Sequence, residues 1–437
     1  IMAGGTFVAK NKVRAGAYIN FVSAFSPLGS VSDRGVVLLP MEVPFGPVGE
    51  AVEVDKDTDV REVFGLSSLS EELKLLREAA KRAQKVLVWR LAGGTPATKT
   101  DGMLTVTARY PGSVGNKLTV KLLESEEGEG PLTVQTFLDG RLMEEQQAET
   151  ADALQDNQWV TFSGTGALLP HAGIVLAGGT DDEAEEADWE DFFAGAKRLT
   201  YNTMAVPSTD ESIKQMAVQF VKEMREDEGV KIQAVLPSIE ADYEGIISVK
   251  GGVRLSDGTE VSEAEATAYV AGMTAGAAVN KSNTFESYDG AVAVLNPLLS
   301  SEIIKGLNAG QFIFIERGNK VVVEQDINTF VSFTADKGEA FRKNRTLRVM
   351  DAIAEDVRST FENYYLGKCA NDEDGRELFR EELFAYLTQL YELRAVEKPE
   401  LSDITVSRGD TADSVVVEMG VQPVDAMEKL YMTVTVA

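Results

Sequence analysis

Histidine and cysteine, two residue types that often act in catalysis and metal binding, are scarce in this chain of 437 residues. It contains one histidine, His171, and one cysteine, Cys369. A lone cysteine forms no intrachain disulfide and no thiolate metal cluster, and a lone histidine forms no multi-histidine metal site. Nucleophilic catalysis with an imidazole base would have to use His171, which lies in a turn-like segment, Leu169-Pro-His-Ala-Gly173. We therefore expect no catalytic residues, no metal site and no cofactor.

Two acidic segments contain side chains of the kind that bind cations. The run at 181–191 lacks the spacing of a calcium loop, and we interpret it as a solvated linker and helix start, where the helix dipole favours carboxylates. Asn371-Asp-Glu-Asp-Gly375 matches part of the calcium-loop pattern, but Ala370 stands at the first ligand position. We interpret this segment as a turn between two helices, with Asp374 as the N-cap.

The sequence gives no support for binding of phosphate or nucleic acid. Gly164-Thr-Gly166 lacks the third glycine and the following helix of a dinucleotide-binding loop. The 42 basic and 70 acidic residues give a net charge of −28, which repels nucleic acid. No uncharged apolar run is long enough to span a bilayer. We expect no nucleic-acid partner, no membrane insertion and a cytoplasmic product.

A basic cluster interrupts this acidic chain at Arg342, Lys343, Arg345 and Arg348. Two interpretations remain open for it. The four side chains could face an acidic partner, or they could be neutralised by carboxylates of the same chain. The spacing of the residues does not decide between an external and an internal role.

The clearest functional candidate is the last segment, Leu430 to Ala437. It predicts a β-strand because β-favouring residues alternate with period two. One face has Leu430, Met432, Val434 and Val436, and the other has Tyr431, Thr433 and Thr435. A strand at a chain end needs a pairing edge, and an edge on another molecule would make it a connector between subunits. A second short strand candidate, within an irregular N-terminal arm, comprises Ala17, Tyr18, Ile19, Asn20 and Phe21.

Between these ends, the periodicity predicts two kinds of region. Apolar strands alternate with amphipathic helices over 31–97 and 177–330, which predicts a sheet covered by helices. Residues 98–176 instead contain short strands separated by Gly, Asp and Asn turns, which predicts an inserted β domain. The string Leu-Ala-Gly-Gly-Thr occurs on both sides of it, at 91–95 and 176–180.

The predicted fold class is therefore α/β, or α+β multidomain: a helix-covered mixed-sheet core with an inserted all-β domain and extended N- and C-terminal arms. A small-residue helix at 263–278 could pack closely against a neighbour. The predicted division of the chain is an arm at 1–30, the core at 31–97 and 177–330, the insertion at 98–176, and a C-terminal domain at 331–437 with an arm from about 422.

Five segments, in order along the chain, resemble contractile phage tail sheath proteins. They are Arg14-Ala-Gly-Ala-Tyr-Ile-Asn-Phe21, Arg109-Tyr-Pro-Gly-Ser-Val-Gly-Asn116, Ala268-Tyr-Val-Ala-Gly-Met-Thr-Ala275, Glu324-Gln-Asp-Ile-Asn-Thr329 and the stretch from Val421 to Val434. Each match is short, but their order and spread over nearly the whole chain make the resemblance specific. The chain looks most like the sheath proteins of myovirus-type prophages and phage-tail-like particles.

The resemblance implies a non-enzymatic subunit that stacks in rings around an inner tube and contracts to drive the tube through a cell envelope. The two arms would add strands to neighbouring subunits. The implied partners are other copies of the chain, the inner tail tube protein, and baseplate and tail terminator proteins. The basic cluster at 342–348 would then be a candidate inner-tube contact. The implied location is a virion tail or a phage-tail-like particle, assembled in the bacterial host cytoplasm.

Two other classes of function remain as alternatives. An α/β hydrolase-like enzyme with an inserted β domain would need a pocket with convergent polar groups that include His171. A receptor-binding adhesin would use the insertion at 98–176 as its binding module. The position of His171 relative to any cleft is the observation that separates the first alternative from a structural protein.

Overall fold

The computed structural model describes residues 34–124 and 130–436 and, near the N-terminus, the backbone of two short strands. In chain order, the strands are β1 (Ala3–Gly5), β2 (Gly16–Tyr18), β3 (Val36–Met41), β4 (Ala51–Asp55), β5 (Lys85–Arg90), β6 (Gly94–Thr95), β7 (Thr98–Asp101), β8 (Leu104–Ala108), β9 (Leu118–Leu123), β10 (Leu132–Leu138), β11 (Arg141–Ala148), β12 (Val160–Gly164), β13 (His171–Val175), β14 (Thr180–Asp181), β15 (Thr203–Ala205), β16 (Gln233–Pro237), β17 (Ile246–Lys250), β18 (Val253–Leu255), β19 (Glu260–Val261), β20 (Ala291–Val294), β21 (Gln311–Arg317), β22 (Lys320–Val323), β23 (Ile404–Arg408) and β24 (Val415–Met419). The α-helices are α1 (Val60–Phe64), α2 (Lys74–Ala80), α3 (Glu186–Ala196), α4 (Glu211–Lys222), α5 (Glu263–Gly276), α6 (Ser300–Asn308), α7 (Asn344–Thr360) and α8 (Glu373–Glu392).

The chain divides into two compact units. The larger unit comprises residues 32–355 and 423–437, and the smaller comprises residues 1–31 and 356–422. This division falls inside α7 and differs from the boundary at residue 331 that the sequence predicts. The first half of α7 belongs to the larger unit, where its apolar side chains Leu347 and Val349 are buried.

The core of the larger unit is an eight-stranded sheet in the order β22–β21–β17–β16–β15–β3–β5–β4. The six inner strands pair in parallel, and β22 and β4 add antiparallel edges. Helices cover both faces, because Val37 and Leu39 pack in one apolar cluster with α2 and α5, and Leu38 packs in another with α3 and α4. Strands buried on both faces read as continuous apolar runs, which is how β3 and β16 appear in the sequence. The predicted helix-covered mixed sheet is confirmed.

The segment between β5 and α3 forms two antiparallel sheets, β11–β10–β9–β13 and β12–β8–β7. Strands β8, β9 and β10 alternate buried and half-buried residues, most regularly in β10. The two Leu-Ala-Gly-Gly-Thr strings lead into β6 and β14, which pair at the base of this region. A Cβ added at Gly94, whose φ is +121°, would lie 1.9 Å from the carbonyl oxygen of Thr180, so this close crossing requires glycine.

In the smaller unit, α8 packs beside the hairpin of β23 and β24. The N-cap of α8 is Asp372, whose carboxylate accepts a hydrogen bond from the Gly375 amide at 2.8 Å. The sequence-based assignment of Asp374 as the N-cap is therefore wrong, because the helix begins at Glu373 and Asp374 already lies in its first turn. The prediction of a turn between two helices holds for this segment.

Candidate self-association site

The C-terminal segment 430–436 is exposed along its whole length. Residues 424–436 have no helix or strand assignment, and the exposed fractions of Leu430 and Val434 are 85% and 70%. The sequence predicts a strand here, but a strand needs a partner edge, and the segment pairs with no described strand of its own chain. Four large apolar side chains on one face are thus left in water, at Leu430, Met432, Val434 and Val436.

The residues just before this segment are held by the larger unit. The Glu428 carboxylate accepts a hydrogen bond from Thr284 Oγ1 at 2.8 Å and forms an ion pair with Lys343 Nζ. Asp425 Oδ2 lies 3.9 Å from the same Lys343 nitrogen. Every described residue after Glu428 is exposed. The free part of the C-terminal arm therefore begins at Lys429.

The sheet of β23 and β24 offers a candidate receiving edge. It has two strands among the described residues, and Val416 and Val417 of β24 are exposed. An isolated two-stranded sheet is marginally stable, and each outer edge presents unpaired backbone N–H and C=O groups. Among the described residues, the edge of β24 is therefore a candidate for the addition of a further strand.

The N-terminal candidate falls only partly within the described structure. Ala17 and Tyr18 lie in β2, which pairs in parallel with β1. Ile19, Asn20 and Phe21 lie outside the described residues. The N-terminal arm is therefore a short paired ribbon as far as the structure describes it, and its role in self-association stays a prediction.

The basic cluster contacts groups of its own chain. Arg342 donates to the carbonyl oxygen of Leu307, and Arg345 Nε donates to that of Asn280 at 2.7 Å. Arg348 is buried, donates to the Lys281 carbonyl oxygen at 2.9 Å and lies 3.7 Å from Asp326, while Lys343 pairs with Glu428 as described. Burial lowers the pKa of all three guanidinium groups. These contacts favour the internal role, and contact with an inner tube stays a prediction.

The residues considered for catalysis or metal binding do not converge. His171 begins strand β13, with its Nδ1 accepting a hydrogen bond from the Gly173 amide and its Nε2 3.9 Å from Asp101. Cys369 is partly exposed in the smaller unit. Among the described residues, no group of three or more His, Cys, Asp or Glu side chains could hold a metal ion. None of the described helices is long and apolar enough to cross a membrane.

Two contributors to the C-terminal site were not found from the sequence. Glu428 and Thr284 are 144 residues apart, and Glu428 and Lys343 are 85 residues apart. A single glutamate in an acidic chain has no pattern that marks it. A co-varying pair of positions in related chains is the signal that could have found this contact.

Comparison with known proteins gives one consistent result. Four family models match successive parts of the chain: the tail sheath protein Gp18 domain III N-terminal region at 34–91, the phage tail sheath protein beta-sandwich domain at 92–182, the phage tail sheath protein central domain at 182–329, and the phage tail sheath C-terminal domain at 336–437. Together they extend over almost all of the described chain.

Individual proteins agree with these models. The chain is 36% identical over 466 residues to the phage-like element PBSX protein XkdK of Bacillus subtilis (strain 168), with 100% of both chains covered. It is 41% identical to a sheath tail protein of Desulfitobacterium hafniense, whose crystal structure matches with a TM-score of 0.84 over 95% of this chain and 99% of that one. The contracted helical sheath of the anti-feeding prophage shares the fold at 12% identity, with a TM-score of 0.58 over 98% and 99% of the two chains. The resemblance seen in the sequence is confirmed, and the chain belongs to the phage tail sheath family as a subunit of a contractile tail sheath.

Proposed function

We propose that this chain is a non-catalytic subunit whose C-terminal arm, residues 430–437, adds a strand to a neighbouring copy. One observation carries the proposal. An alternating apolar segment lies exposed at the end of a well-packed chain, and the described residues offer it no strand partner. Exposed apolar surface of this kind marks an interaction site. A second copy fits the segment, because each copy also presents an open two-stranded sheet, β23–β24.

Strand addition would stabilise the contact in two ways. Each backbone hydrogen bond contributes roughly 0.5–1.5 kcal/mol net. Full burial of each large side chain on the apolar face, such as Leu430 or Met432, contributes about 1.5–3 kcal/mol. Such an arm joins two copies without fixing their folded units rigidly, so linked subunits could repack while they stay connected. The N-terminal arm, with Ala17 and Tyr18, is proposed as a second connector of the same kind.

A head-to-tail contact that does not close on itself generates a helical tube. We propose that the tube surrounds an inner tail tube, ends at baseplate and terminator proteins, and forms part of a virion tail or tail-like particle assembled in the host cytoplasm. Contraction would be a change between two packings of the same subunits, which needs no bond cleavage. The presence of a single histidine and a single cysteine agrees with a purely mechanical role.

Deletion of residues 430–437 tests the strand-exchange proposal. The shortened chain should remain a folded monomer, because these residues contribute nothing to the described core, but it should form no tubes. Circular dichroism and size-exclusion chromatography report folding and oligomeric state, and negative-stain electron microscopy reports tubes. Lys429→Gln is a matched control that changes an exposed residue beside the deletion and should leave tube formation intact. Normal tubes from the shortened chain would contradict the proposal.

A further inference from the structure

The start of the C-terminal arm is tied to the interior of the larger unit through Glu428. This side chain is 10% exposed, although Met427 and Lys429 on either side of it are exposed. Its carboxylate has two partners, the Thr284 hydroxyl and the Lys343 ammonium group. We call these three residues, Glu428, Thr284 and Lys343, the arm clip.

The arm clip is continuous with a buried polar network. Thr284 Oγ1 accepts a hydrogen bond from the Asp326 amide at 3.0 Å. The Asp326 carboxylate in turn accepts from the Asn283 amide and from Asn344 Nδ2, both at 2.9 Å, and it is 1% exposed. Asp326 opens the Asp-Ile-Asn-Thr segment noted in the sequence, and Asn344 is the first residue of α7. The arm is therefore attached to a buried, hydrogen-bonded part of the larger unit.

We infer that Glu428 is a positioning residue for self-association, because the arm clip fixes the point from which the free arm leaves the core. The inference rests on the proposed strand exchange. If strand exchange occurs, only the residues after the arm clip have to become ordered when the arm binds a neighbouring copy. Its partner is a second copy of this chain, and the clip determines where the strand starts relative to the subunit that donates it.

The expected size of the effect follows from chain length. With the clip closed, the tether that follows it is residues 429–437, which is 9 residues. With the clip open it extends back to the start of the larger unit's C-terminal segment, residues 423–437, which is 15 residues. The effective concentration of a tethered strand falls roughly as the −3/2 power of tether length, so opening the clip lowers it about twofold per contact.

The clip itself is tested without assembly, on the full-length chain kept below its assembly concentration. A nitroxide label is attached at Met427→Cys or at Val434→Cys, both exposed positions, in a Cys369→Ser background. Electron paramagnetic resonance should find slow motion at 427 and fast motion at 434. Glu428→Gln and Lys343→Met, which break the same ion pair from its two sides, should each make the label at 427 nearly as mobile as that at 434. Equal mobility of the labels at 427 and 434 in a chain with Glu428 and Lys343 unchanged would overturn the inference.

The positioning role is tested by the critical concentration for tube formation, followed by light scattering and electron microscopy. Glu428→Gln and Lys343→Met should each raise it about twofold or more, and the control Lys429→Gln should leave it unchanged. An unchanged critical concentration in a variant whose label at 427 has become mobile would overturn the positioning role. If the chain without residues 430–437 forms normal tubes, strand exchange is ruled out, and the positioning role is ruled out with it. If the label at 427 is still immobile in that case, the clip is a structural contact only.

Discussion

At the residue scale, two glycines determine how closely helices α2 and α5 pack. A Cβ added at Gly272 would lie 2.2 Å from the carbonyl oxygen of Ala79, and one added at Gly276 would lie 2.0 Å from that of Arg82. Both contacts are with backbone, which moves less easily than a side-chain end. The sequence predicts close packing for this small-residue helix, and the physical reason is that even a methyl group does not fit at these two positions.

Gly272→Ala should therefore destabilise the protein even though alanine favours a helix by up to about 1 kcal/mol over glycine. Overpacking should outweigh that gain and lower the free energy of unfolding by about 1–3 kcal/mol, measured by urea denaturation. Gly338→Ala is the matched control, since its added Cβ meets nothing within 4 Å and its φ is −84°. The control should change stability by less than about 1 kcal/mol. A Gly272→Ala chain as stable as the original would contradict this account of the helix contact.

At the element scale, the inserted β region and the core sheet share one apolar cluster. Trp159 precedes β12, is fully buried, and stacks on Phe45 of the core with ring centroids 5.5 Å apart. Gly65, which ends α1, lies against Val114 and Trp159 of the insertion. The insertion is thus separate in topology but not in packing, so the two regions should unfold together.

Trp159→Ala tests that coupling. It should lower the free energy of unfolding by about 3–5 kcal/mol, because a buried aromatic ring is lost and a cavity is left between the two regions. Differential scanning calorimetry should show that the insertion and the core lose structure in one transition, which moves to a lower temperature in the variant. Met103→Ala, at an exposed position in the insertion, should change stability by less than about 0.5 kcal/mol. Separate transitions, with one unaffected by Trp159→Ala, would show independent folding.

At the scale of the whole molecule, every copy carries a formal net charge of −28. Copies that assemble must overcome mutual repulsion, while the proposed strand contact, made by backbone hydrogen bonds and apolar side chains, would depend little on charge screening. This balance suits a subunit that has to remain soluble before assembly, since net charge keeps protein molecules apart. Screening by salt should then favour tubes.

The critical concentration for tube formation should fall by about tenfold between roughly 0.01 M and roughly 0.15 M salt, where the Debye length shrinks from about 30 Å to about 8 Å. Light scattering at a series of salt concentrations measures it. The chain lacking residues 430–437 should form no tubes at either salt concentration, which separates screening from nonspecific aggregation. Tubes that dissolve as salt is added would mean that attractive ion pairs between copies outweigh the net repulsion.

Much of this molecule is determined by local pattern. Period-two and helical alternation indicate the core sheet, its helices and the inserted β region, and the repeated Leu-Ala-Gly-Gly-Thr string marks the strands at the base of that region. The alternating residues 430–436 likewise predict an interaction segment, because hydrophobic periodicity depends on near neighbours in the chain.

Only the tertiary structure shows which residues far apart in the sequence are in contact. It placed the basic residues at 342–348 against carbonyl and carboxylate groups of the same chain, set the division between two compact units within α7, and brought Glu428 to Thr284 across 144 residues. The physical reason is that such contacts depend on burial and on the meeting of distant segments, which no local spacing encodes. The sequence therefore determined the alternating pattern of residues 430–436, and the fold determined that the segment after Glu428 leaves the core.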